Sequence, residues 1–141
     1  MWDMIYPIVI VVAANTVYNI CAKSTPTEAN AFGSLTVTYI IATLISAIAF
    51  LCTAGVKNVQ AELSKINLSA ILLGVSIVAL EFGYILIYRV GWKISLASLT
   101  ANISLAVVLL LVGVLFYKDA ISGYQVAGAL LCSAGLFLLS K

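Results

Sequence analysis

Five runs of about twenty apolar residues, each broken off by a few polar ones, take up most of the chain. Hydropathy marks them at about 4–21, 35–54, 68–88, 95–117 and 122–140. Each is close to the ~20 residues that cross ~30 Å of hydrocarbon as a helix. In lipid every backbone N–H and C=O must be satisfied within protein, and the ten-residue alternation of a membrane barrel is absent, so helices are the form these runs must take. The expected fold class is an all-α integral membrane protein with five transmembrane helices in one domain spanning 1–141.

Composition excludes the other classes. Apolar residues are 64% of the 141 and charged residues 9%, whereas a soluble domain carries about 45–50% and ~25%. A net charge of +2 is too small for a surface that tracks phosphates, so no nucleic acid is expected as a partner. There is no His, and Cys21, Cys52 and Cys132 are scattered, without CxxC or zinc spacing. They read as small side chains in membrane helices rather than as a disulfide framework or a metal site. No dinucleotide, Walker or GxSxG pattern occurs, so neither an enzyme nor a cofactor is expected.

The ends of the spans carry their own marks. Trp2 and Tyr6 open the first, Tyr88 and Trp92 flank the third and fourth, and Tyr117 and Tyr124 bracket the last connection, as amphipathic rings do at headgroup level. Ser122 and Gln125 form a capping box for the fifth helix, and Pro7 falls in the expected first turn of the first. With Asp3, no Lys or Arg before that run and no small-residue cleavage site after it, the first span reads as a retained helix rather than a signal peptide. In the connection from Gly55 to Asn67, Val56, Val59, Leu63 and Ile66 recur at helical spacing. That fits either a short interfacial helix or a solvated loop.

Glu81 is the one ionisable residue deep in a span. A charge there costs roughly 3 kcal/mol on insertion scales. Desolvation favours the neutral acid, while water or a cation favours the carboxylate, so Glu81 suits proton or cation binding; a hydrogen-bonded structural acid is the alternative. Helical rotation puts Gly74, Ile77, Glu81, Tyr84 and Tyr88 on one stripe, with Tyr88 expected at the interface. Arg89, about 12 Å further along the axis, is better placed to snorkel than to neutralise Glu81. Asn15, Tyr18 and Asn19 share a face of the first span that should point inward. In the second span Thr36, Tyr39, Ala42, Thr43 and Ser46 lie on one side; in the fourth, Ser95, Ser98, Ala101 and Asn102 do. Small hydroxyl residues mostly serve packing, but the Asn102 amide needs partners. Together these faces predict a polar central cavity with one acid: Glu81, Tyr84, Asn15, Tyr18, Asn19 and Asn102 as binding residues, and Tyr39, Ser98 and Tyr88 as lining. The fifth span places Gly128, Cys132 and Gly135 on one face, a seam for helix packing or dimerisation.

The run Asp119-Ala-Ile-Ser122-Gly-Tyr-Gln125-Val-Ala-Gly128, completed by Ala134-Gly135, resembles the five-helix EamA-like repeat of the drug/metabolite transporter superfamily. That repeat commonly ends its fourth helix with an acid, then continues with a hydroxyl residue, a Gln, a Gly and a second Gly seven residues later. The match covers about 117–138, and five-span spacing extends it loosely to the whole chain. Asp119 replaces the usual Glu, the Ser98–Ser104 region lacks a frequent Pro, and the frequent Arg of the second helix is replaced near Tyr39. The last helix is also similar to that of the small multidrug resistance proteins. Their essential Glu of the first helix would fall in Val12-Ala13-Ala14-Asn15, where no acid stands. Their proton-and-drug site does not carry over, and coupling would fall to Glu81.

The resemblance implies a multi-pass secondary active transporter of the plasma (inner) membrane. It would export a small metabolite or amphipathic compound by alternating access, with protons as the coupling ion. Most relatives fuse two repeats, so a single one implies a dimer. Two readings of other kinds stand beside it: a non-transporting membrane subunit, and half of a heterodimeric lipid-linked sugar flippase.

Positive charge does not choose an orientation. With the N-terminus inside, Lys57, Lys65 and Lys118 are inside and Lys23, Arg89, Lys93 and Lys141 outside, three against four. Such balance fits either orientation by other cues or insertion both ways, which for five spans would build an antiparallel ten-helix homodimer, an inverted repeat. Topology reporters fused to each terminus should therefore report from both sides of the membrane, and two added Lys in one set of loops should force one orientation. Labelling from one side only would sink the antiparallel homodimer.

Overall fold

Long apolar runs with few helix breakers become helices, and hydroxyl side chains inside them turn back on their own backbone. The computed structural model describes residues 2–55, 58–118, 120 and 122–139, apart from the side chains of 2–4, 136, 137 and 139. Val56 of the 55–67 stripe, Asp119 and Ile121 of the EamA-like run, Lys57 and Lys141 of the charge count, and the Trp2 ring lie outside the described residues. The described residues form six helices in order: α1 (Trp2–Ser24), α2 (Ala31–Ala54), α3 (Val59–Leu63), α4 (Leu68–Arg89), α5 (Ile94–Tyr117) and α6 (Gly123–Leu139). No strand occurs among the described residues. Thr16 donates to Val12 O, Thr36 to Phe32 O and Ser76 to Leu72 O, each at 2.8 Å, which satisfies hydroxyls in apolar surroundings without leaving the helix.

Caps explain where the helices depart from the hydropathy limits. The Asn30 side chain accepts from Gly33 N at 3.1 Å, so α2 begins four residues before Leu35. Asn67 caps α4 by accepting from Ser69 N at 3.1 Å. Gly55 closes α2 at φ 72°, a conformation that costs glycine little. The Gln125 half of the expected capping box is formed, with Ser122 N donating to Gln125 Oε1 at 2.9 Å. Because α1 starts at Trp2, Pro7 falls in the second turn instead of the first and removes one intrahelical donor. The 55–67 connection does contain a short helix, α3, tied by the exposed Lys65–Glu62 pair at 2.7 Å.

Among the described residues four helices are long and apolar enough to cross a membrane: Ile5–Ser24, Ala31–Ala54, Leu68–Arg89 and Ile94–Tyr117. The chain therefore has the character of a multi-pass membrane protein. The fifth run forms a helix of 17 residues, about 26 Å at 1.5 Å per residue, at the lower limit for a crossing.

The chain divides into two compact units, Met1–Val90 and Gly91–Lys141. In the second, α5 packs on α6. In the first, α4 packs against both α1 and α2, and α3 rests on α2. The two contacts of α4 have different chemistry. Toward α2 it is apolar: Ala31, Leu35 and Ile85 form a buried cluster with Tyr39 and Phe82 against it, and the Phe32 and Phe82 rings stack at 4.7 Å. Toward α1 it is polar. Tyr88 Oη donates to Asn19 Oδ1 at 2.5 Å, and Asn19 Nδ2 donates to both Asn15 O (2.8 Å) and Asn15 Oδ1 (2.7 Å). Asn19 is 4% and Tyr88 5% exposed, whereas Ile45, Leu73 and Val75 are 64–66% exposed. Apolar surface faces out and hydrogen-bonded polar groups face in, as a lipid solvent requires.

Interhelical hydrogen bonds in membranes average ~0.6 kcal/mol and reach ~1.7. Tyr88→Phe should cost about 0.5–1.5 kcal/mol in a reversible unfolding titration in mixed micelles. Asn19→Leu should cost more, because it leaves the Tyr88 hydroxyl and the Asn15 amide oxygen unpartnered. The two losses should be non-additive. An Asn19→Leu protein as stable as its parent would show that the network holds nothing together.

Candidate functional site

The facing sides of α1, α2 and α4 border a half-open cavity of about 110 Å³. From α1 and its C-terminal end come Tyr18, Cys21, Ala22 and Thr25; from α2, Ser34, Leu35 and Thr38; from α4, Glu81 and Ile85. The acid thus stands in a space shared by three helices, with one apolar side chain from each of α2 and α4 among oxygen-bearing ones.

Two of the hydroxyls around Glu81 have their protons committed. Thr38 Oγ1 donates to Ser34 O at 3.1 Å and Thr25 Oγ1 to Cys21 O at 3.2 Å. The Tyr18 hydroxyl is buried with no hydrogen-bond partner among the described residues, and so is that of Tyr39. Tyr18 and Tyr84 meet edge to face at 5.5 Å, and Tyr84 and Tyr88 lie 6.2 Å apart. An aromatic ladder therefore runs from the cavity to the Asn19–Tyr88 hydrogen bond, and edge-to-face contact fixes the ring that carries the unpartnered Tyr18 hydroxyl.

Two cationic side chains of this unit, Arg89 and Lys23, lie toward the C-terminal end of α4. Arg89 Nη2 donates to Ala29 O and, at 3.3 Å, to Pro26 O, which ties α4 to the α1–α2 connection. Lys23 Nζ lies 5.7 Å from the centre of the Tyr88 ring, within cation–π range. Neither lines the cavity. Among the described residues no three His, Cys, Asp or Glu side chains gather where they could hold a metal ion.

Of the residues singled out in the sequence, Glu81, Tyr18, Tyr84, Tyr88, Asn15 and Asn19 come together between α1 and α4. Asn15 and Asn19 serve the helix contact. Tyr88 is buried against α1 and its hydroxyl is spent on Asn19. Tyr39 packs on the α2–α4 cluster and borders a shallow outer groove with Thr36, Ile40, Thr43 and Leu44. Asn102 and Ser98 belong to the second unit, where Asn102 Nδ2 donates to Ser98 Oγ at 3.2 Å. A Cβ added at Gly128 or Gly135 would meet nothing within 4 Å, and Cys132 is exposed, so among the described residues this face of α6 is open.

Ser34, Thr38 and Thr25 were not among the expected site residues. The signal for Ser34 and Thr38 is the series Ala31, Ser34, Leu35 and Thr38, spaced i, i+3, i+4, i+7. It lies roughly a third of a turn from the Thr36–Tyr39–Thr43 side and is hard to see because Ser and Thr scatter all round α2. No family model, no curated protein and no solved structure matches this chain.

Proposed function

We propose that the chain is one repeat of a secondary active transporter of the drug/metabolite type. It moves a small metabolite or amphipathic compound by alternating access, with Glu81 exchanging a proton for the substrate. The observation that carries this reading is an acid in the middle of an apolar helix that faces a cavity shared by α1, α2 and α4. The EamA-like run at 119–135 supports it. The reading includes a fifth crossing by α6, two copies in antiparallel array, and the open face of α6 as a seam between helices.

The chemistry is an alternation. In the closed, desolvated state the neutral acid is favoured; when water or a cation enters, the carboxylate is. A group that must be in one state or the other couples the two fluxes. The titratable side chains around it are Tyr18 and Cys21 from α1, Tyr39 from α2 and Tyr84 on its own helix, with Lys23 and Arg89 toward the far end of α4.

In proteoliposomes with a trapped pH dye and an imposed proton gradient, a panel of small metabolites should include one that discharges the gradient. Glu81→Gln keeps the shape and removes the titration. It should slow that discharge at least tenfold while the oligomer in detergent is unchanged, and Cys21→Ser should leave the pH dependence as it was. Undiminished pH dependence in Glu81→Gln would make the acid structural and the protein a facilitator or an accessory subunit.

A further inference from the structure

The cavity beside Glu81 carries a carboxylate and two hydroxyls turned to it as acceptors, and this deepens the reading of it as a binding site. The Tyr18 hydroxyl can accept as well as donate. A carboxylate only accepts. The Thr38 and Thr25 hydroxyl protons point to backbone carbonyls of their own helices, at 3.1 and 3.2 Å, so what remains toward the cavity is lone pairs. The Tyr18 oxygen is buried and has no partner among the described residues. Asn19, the amide nearest Tyr18 in sequence, has its amide hydrogens on Asn15 and its oxygen on Tyr88. The guanidinium of Arg89 is turned to the α1–α2 connection. A compact ligand that brings N–H donors and a positive charge meets the carboxylate and these lone pairs. The volume of about 110 Å³ is somewhat smaller than the ~150 Å³ of an apolar cavity that takes up benzene.

We infer that the cavity takes a small ammonium compound of roughly four or five non-hydrogen atoms, its charge on the Glu81 carboxylate and its N–H groups on the oxygens of Tyr18, Thr38 and Ser34. An ammonium group has three donors and no acceptor, the complement of this lining. The Tyr18 ring, braced by Tyr84 at 5.5 Å, supplies an aromatic wall that suits a cation. Leu35 and Ile85 receive a short alkyl stem. Anions are rejected by the carboxylate, neutral alcohols of the same size leave it unpaired, and bulky lipophilic cations do not fit.

The test uses the full chain in detergent with Cys52→Ser and Cys132→Ser, so that Cys21, a cavity residue, is the one thiol. Equilibrium binding is measured with radiolabelled propylammonium, and Cys21 alkylation by a neutral maleimide locates it. Saturable binding is expected, unaffected by propanol, propionate or tetraphenylphosphonium, together with a several-fold slowing of Cys21 alkylation by propylammonium. Glu81→Gln should weaken binding at least tenfold. Thr38→Val, which keeps the shape and removes one acceptor, should weaken it about threefold and decides the matter if Glu81→Gln does not yield folded protein. Absence of saturable binding, equal competition by propionate, propanol or tetraphenylphosphonium, or unchanged affinity in a folded variant would overturn the inference. Ammonium binding without flux in vesicles would overturn the transporter reading and leave this one standing; flux of another compound without ammonium binding would do the reverse.

Discussion

The amide of Asn19 is the point on which the first unit turns. An amide in an apolar helix has two donor hydrogens and an acceptor oxygen to satisfy, and lipid supplies nothing. Asn19 satisfies them with the backbone and side chain of Asn15 and with the Tyr88 hydroxyl from α4. Any rotation of α1 about its axis would carry that amide into hydrocarbon, so the bond sets which face of α1 meets α4. Tyr18, one residue before it, is thereby brought to the cavity, and Tyr84, one turn before Tyr88, is brought against Tyr18. The net stabilisation is a matter of ~1 kcal/mol per bond. Its orienting effect is larger than that figure suggests, because the alternatives each leave a polar group unmet.

The apolar contact of α4 with α2 plays a different part. Ala31, Leu35, Ile85 and the Phe32–Phe82 stack have no hydrogen-bond requirement and bring no solvent-driven hydrophobic gain in a bilayer; they contribute close packing. Held polar on one side and apolar on the other, α4 presents Glu81 to the space between. Arg89 then fastens the last turn of α4 to the connection between its two neighbours through the Pro26 and Ala29 carbonyls. The acid and the strong cation are thus kept apart along one helix. A neutralising ion pair at Glu81 would fill the site with its own counter-charge; the separation leaves the acid available to a proton or a ligand.

Much of this was legible in the residues. Apolar run length gave the helices to within a few positions, and the misses have local causes: Asn30 begins α2 early through its cap, and α1 already runs through Pro7 from Trp2. The grouping of Asn15, Tyr18 and Asn19 followed from their spacing, because polar side chains on one face of a membrane helix must meet protein. Glu81 stood out for being alone. Tyr88 was harder to read, since a tyrosine near a span end looks like an interfacial ring, and only the approach of α1 shows its hydroxyl to be engaged. Ser34 and Thr38 were hidden for a related reason: hydroxyl residues satisfy themselves on the preceding turn, so their presence in a helix says little about which way it faces.

The central claim is that α2 has a wet face beside Glu81 and a lipid face opposite. Cysteine accessibility measures it most directly, in intact vesicles of a chain whose own Cys21, Cys52 and Cys132 are replaced by Ser. Single cysteines at Ser34 and Thr38, which line the cavity, should react readily with a small water-soluble thiosulfonate. Those at Ile40 and Leu44, 55% and 59% exposed on another side of α2, should react at least tenfold more slowly, since a thiol in hydrocarbon neither ionises nor meets the reagent. Equal reactivity on both sides, or faster reaction at Ile40 and Leu44, would contradict the account.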